Sequence, residues 1–150
     1  MVVYSGLLGG IAGEGIMGAI FMSPPVQKLL YNPALQSALF LEITPTRDLV
    51  YSISGMVVLS IIHSWLFYVF QPCMPGRTWL GKGLFWGLSI WLMYWVVQEW
   101  FIYHTLLREP ILLNLLELTI LLVGSLLEGC VISKILMKNF AGDKKGDFMK

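Results

Sequence analysis

The chain has 150 residues, of which 57% are hydrophobic and 13% charged, with a formal net charge of +1 and a mean hydropathy of +0.73. That balance lies outside the range of ordinary soluble domains, and with no basic face or nucleic-acid motif it gives no reason to invoke nucleic acid. Two cysteines, Cys73 and Cys130, are too few for a disulfide framework and lack metal-ligand spacing, so no metal site is expected.

Four stretches are long and apolar enough for a bilayer, which takes about 20 residues each. The expectation is an all-α membrane protein, a single transmembrane domain over 1–150 built as a four-span antiparallel transmembrane helix bundle. The first span covers about 4–22. Gly6, Gly10, Glu14 and Gly18 recur every four residues, with Gly9 and Gly13 beside them. Small residues at that spacing let the backbone of another helix approach, which places Glu14 on a packed face near mid-span. No basic segment precedes this run and Ser23-Pro24-Pro25 follows it, a pattern of a retained span rather than a cleaved signal peptide.

Residues 23–47 form a long first loop containing Pro24, Pro25, Pro33 and Pro45. Its apolar pieces VQKLLY and ALQSALFLEI suit either interfacial helices or a segment packed over the mouth of the bundle. The second span, about 48–70, aligns Ser52, Ser60, His63 and Phe67 on one face. A proline-stiffened turn over 71–77 follows. The third span, about 83–103, is strongly aromatic. Trp86 and Trp100 suit interfacial belts, while Trp91, Tyr94 and Trp95 suit a core; the alternative for those rings is contact with a pigment, haem or quinone held by a partner. Gln98 and Glu99 fall in its last third, with His104 at the edge.

Arg108-Glu109-Pro110 makes the next turn, Pro110 being well placed to open a helix. The fourth span, about 110–137, carries Asn114, Glu117, Leu121, Gly124 and Glu128 on one helical face, and a charged tail occupies 138–150. With four crossings, seven of the ten basic residues share a side with both termini, and Lys28, Arg47 and Arg108 lie on the other. The positive-inside rule puts both termini in the cytoplasm, in a bacterial cytoplasmic membrane.

The Gly-rich first span, the central His in IIHSWLFYVF and the opening GKGLFWGLSIWL of the third resemble a group of uncharacterised bacterial four-helix integral membrane proteins. That resemblance covers most of the chain and implies a topology, with no activity attached. A narrower likeness joins YSGLLGGIAGEGIMGAIFM to the first helix of small multidrug resistance transporters, where one membrane Glu binds protons and cations in turn. It stops at helix one: the long first loop, three further acids and the charged tail all depart from that family.

At about 1.5 Å rise per residue, Glu14 falls near mid-depth, His63 and Glu128 on the cytoplasmic side of it, and Glu99 and Glu117 on the outer side. These five form a ladder of the kind proton relays use, bridged by Ser60, Asn114 or Gln98, with His63 as the natural partner of Glu128. Taken singly, each reads first as an interhelical hydrogen-bonding group; it is the set of five that suggests a pathway. Helix packing is assigned to Gly6, Gly10, Gly13, Gly18 and Gly124. No intrinsic cofactor is expected, since His63 and His104 sit at different depths and no helix carries Glu-x-x-His. No nucleophile–base pair stands out, so the chain is read as no enzyme. The leading expectation is an accessory subunit of a larger, energy-converting membrane complex, with other membrane subunits and the lipid bilayer as partners. The alternative is a proton-coupled carrier of a small solute, working as a homo-oligomer.

Overall fold

The structure, a computed structural model, describes residues 1–44 and 48–147, with Leu49 and 139–147 as helical backbone only. Arg47 and the last three residues of the tail lie outside the described residues. Helices dominate, and no strand occurs among the described residues. Four helices are long and apolar enough to cross a membrane.

Helix α1 spans Val2–Phe21 and stops where Ser23 adopts an extended conformation before Pro24. The short α2 (Pro24–Leu30) starts with proline at its first position, where the missing N–H costs nothing. The equally short α3 (Ala38–Ile43) is capped by Ser37, which accepts a hydrogen bond from the Phe40 amide at 3.0 Å. Helix α4 (Leu49–Phe70) opens on Asp48, whose carboxylate accepts from the Val50 and Tyr51 amides.

Helix α5 is composite. Thr78 caps it by accepting from the Gly81 amide, so it begins at Trp79, earlier than the apolar run at 83 suggests. Trp79–Ile90 is α-helical, Trp91–Trp95 and Glu99–Leu106 turn with the wider π pitch, and Val96–Gln98 lies between them. The Leu107 amide, for instance, donates to the Ile102 carbonyl five residues back, at 2.9 Å. After a turn in which Arg108 adopts a left-handed φ of 56°, α6 runs unbroken over Ile111–Asp147. It therefore continues as helical backbone through Lys138, where a separate tail is expected.

Helix α6 is the axis of the fold. Half of its most apolar window is buried, against 22–33% for the other three long helices. The face holding Asn114, Glu117, Leu121, Gly124 and Glu128 is buried throughout. Two apolar clusters flank it: Met17, Ile90, Trp95, Ile120 and Leu121 in one, and Phe67, Met74, Ile132 and Leu136 in the other.

Glycine seams bring the backbones together. A Cβ at Gly13 would lie 2.7 Å from the Gly124 carbonyl oxygen, and one at Gly6 2.7 Å from the Ile61 Cα. A Cβ at Gly10 would lie 2.5 Å from the Ser60 hydroxyl. A second seam, in which Gly83 and Gly87 lie four residues apart, sets Gly83 against Cys130 and interlocks Gly87 and Gly129. Gly18 departs from the expected packing role. A Cβ there would meet nothing within 4 Å, because Gly18 lies beyond the close crossing and lines a cavity instead.

The connection between α1 and α4 packs over one end of the bundle. Leu30, Gln36, Phe40 and Thr44 are buried, and Ser37 Oγ donates to the Leu107 carbonyl at 2.5 Å. Phe40 sits with its ring centroid 5.9 Å from both Tyr31 and Tyr103. The aromatic residues of α5 divide by depth. Trp91 donates its indole N–H to the Leu118 carbonyl and Trp95 is buried, while Trp100 is half exposed. Trp86, expected in a belt, packs instead edge-on to buried Phe67 at 6.1 Å.

Candidate functional site

The polar residues inside this apolar bundle fall into two groups joined by a cavity. The first group lies between α1, α4 and α6. His63 Nδ1 is 3.0 Å from Glu128 Oε1, and both side chains are almost fully buried. Ser60, three residues before His63 on the same helix, donates to Glu14 Oε1 at 3.0 Å. The Ser5 and Ser64 hydroxyls meet at 2.6 Å, and Ser64 also donates to the Val2 carbonyl. A buried charge without a partner is expensive, so the Ser60 hydroxyl and the His63 imidazole fix where Glu14 and Glu128 can sit.

The second group lies under the α2–α3 connection. One carboxylate oxygen each from Glu99, Glu109 and Glu117 lies within 4.8 Å of the other two, and all three residues are buried. Asn114, one turn before Glu117, donates its side-chain N–H₂ to the Glu99 carbonyl oxygen (3.0 Å) and to Glu99 Oε2 (3.1 Å). Gln36 reaches across from the connection and donates to Glu109 Oε1 at 2.6 Å. Burial pushes the Glu109 carboxyl above its usual range, and the neighbouring side-chain amides of Gln36 and Asn114 pull in the opposite direction. His104 Nδ1 is 2.8 Å from the Glu109 carbonyl oxygen, far along the chain from His63 and in the other group.

Between the groups is a cavity of about 510 Å³. Glu14, Gln98, Glu99 and Glu117 stand in its polar wall with Gln27 and Thr44, and Trp95 and Tyr103 form part of its aromatic one. Three acids from three different helices thus share one space. That volume lies in the range of small-ligand pockets.

Of the five residues singled out in the sequence, His63 pairs with Glu128, while Glu14, Glu99 and Glu117 line one cavity. Sequence reasoning missed Glu109, which reads as an ordinary turn acid before Pro110, and Gln36, which reads as loop. Their bond joins residues 73 apart in sequence, a distance over which no local pattern gives a signal. What the arrangement can do chemically is hold protons or cations in a water-poor interior. No family model, curated protein or solved structure matches the chain.

Proposed function

We propose that the protein is an integral membrane carrier that couples movement of a small cationic solute to protons. The observation that carries this reading is the shared cavity, where Glu14, Glu99 and Glu117 converge from α1, α5 and α6. Carboxylates in low dielectric attract either a proton or a cation strongly, and one group that takes them alternately couples the two. Aromatic walls add cation–π attraction for an organic cation. The four long helices are taken as antiparallel crossings with both termini cytoplasmic, and His63–Glu128 as the proton branch on the cytoplasmic side of Glu14.

Reconstituted liposomes with a trapped pH dye test this reading directly. Addition of a monovalent organic cation should release protons from protein-containing vesicles. Glu14→Gln should abolish that release while leaving the purified protein folded, because an amide hydrogen-bonds to Ser60 but does not ionise. No proton movement with any cation in a panel would end the carrier reading.

A second reading, an accessory subunit of a larger membrane complex, is favoured by Gly15 and Gly55. A Cβ at either would meet nothing within 4 Å, leaving two places where a foreign helix can approach closely. Co-purification of a fixed set of partners in mild detergent supports it, whereas a homo-oligomer supports the carrier.

A further inference from the structure

The second polar group holds more oxygen than its hydrogen bonds use. Glu109 is 1% exposed, and its Oε2 has no hydrogen-bond partner among the described residues. Asn114 is fully buried, and its amide oxygen is likewise unpartnered while its nitrogen bonds Glu99. An orphaned buried acceptor costs roughly 1–3 kcal/mol, and both residues belong to this cluster: Asn114 bonds Glu99, and Glu109 lies beside Glu99 and Glu117. Both are acceptors. What is missing is something electropositive.

We propose that Glu99, Glu109, Glu117 and the side-chain oxygen of Asn114 form a binding site for a calcium-sized divalent cation. All four donors are hard oxygens, the ligand type that suits Ca²⁺, Mg²⁺ and Mn²⁺ and gives no preference to zinc or copper. With all three carboxylates deprotonated as ligands, one divalent ion would bring the charge of the site to a single net negative. Spacing favours the larger ion. Three oxygens up to 4.8 Å apart surround a space suited to Ca–O distances of about 2.3–2.6 Å, whereas Mg²⁺ at about 2.0–2.1 Å would require them to close in. The ligands come from α5, from the turn before α6 and from α6 itself. Gln36 holds the outer oxygen of Glu109, so the ion would also fasten the α2–α3 connection to the bundle. The site shares Glu99 and Glu117 with the cavity of the transport reading, so a bound ion would leave Glu14 as the exchanging acid there; the test reads ion binding and not transport, so the two readings fail separately.

The test uses the full chain in mild detergent after treatment with a chelator. Terbium, a calcium-sized luminescent ion, should give saturable emission at one ion per chain, sensitised by neighbouring Tyr103 and Trp100. Ca²⁺ should displace it at concentrations at least tenfold lower than Mg²⁺. Glu109→Gln and Glu117→Gln should each weaken binding at least tenfold, while Glu42→Gln, an exposed acid of α3, should leave it unchanged. Should a Gln variant misfold, wild-type protein alone still decides the matter: Ca²⁺ must raise its melting temperature along the same saturation curve. Absent saturable emission, equal binding in the Glu109→Gln variant, or a wild-type melting temperature indifferent to Ca²⁺ would each overturn the site. An infrared carboxylic C=O band lost in Glu109→Gln, with no ion bound, would assign protons to the cluster instead.

Discussion

The two ends of the cavity handle buried acid in different ways. On the His63–Glu128 side, each carboxylate has a dedicated partner on a neighbouring long helix, and tight glycine seams fix the spacing. On the Glu99–Glu109–Glu117 side, three acids crowd together and their environment is completed by a loop. One end compensates charge pairwise within the helical core. The other leaves acceptors open and closes them off from outside with an imported segment. A fixed pair suits a permanent structural role or a single proton, whereas open acceptors suit an exchangeable occupant.

The largest expected effect breaks the first end. Gly13→Leu forces a side chain into the Gly124 backbone, and overpacking without room to move costs about 1–3 kcal/mol or more. Loss of folded protein in detergent gel filtration is the expected result. Normal yield would mean that the seam is loose and the two ends are not mechanically different.

Removing one partner of the buried pair comes next. Glu128→Leu leaves His63 buried without an acceptor, at a cost of about 1–3 kcal/mol, while Glu128→Gln keeps a hydrogen-bonding oxygen and should be mild. Chemical denaturation of the two variants measures the gap. Equal stability would show that the pair is incidental.

Gln36→Leu probes the second end. It removes the donor to Glu109 and should release the connection, with the core unaffected. Hydrogen exchange should accelerate over residues 30–44 alone, as expected for local opening. Acceleration throughout α6 would mean that both ends unfold as one unit.

The smallest effect is expected at Gly18, where open space surrounds the Cα. Gly18→Ala should change stability by less than about 1 kcal/mol and in the stabilising direction, since alanine favours helix. A large loss would place an unrecognised contact there.

How legible these ends were in the sequence follows from how they are built. The four long helices announce themselves by apolar length, and the α6 stripe by its three, four and seven spacings, so burial of Asn114, Glu117 and Glu128 agrees with the pattern. His63 facing Glu128 followed from depth alone. The rest depends on events that periodicity does not encode. Wide turns in α5 change the angular position of Glu99, capping by Thr78 starts that helix early, and Gln36 meets Glu109 only because the connection folds back over the bundle. Gly18 failed as a packing residue for a related reason. Spacing identifies a face of a helix but does not say where along its length a neighbour diverges.

The left-handed backbone at Arg108 puts these two ends on different evolutionary footings. A non-glycine residue there costs roughly 1–2 kcal/mol, and the residue that follows it, Glu109, is buried beside Glu99 and Glu117. Selection for heat resistance alone would favour Arg108→Gly, which removes the strain but frees the turn. Selection for whatever the three acids hold would resist the same change. A directed-evolution library scored separately for survival at high temperature and for ion or solute binding should therefore split at this one position.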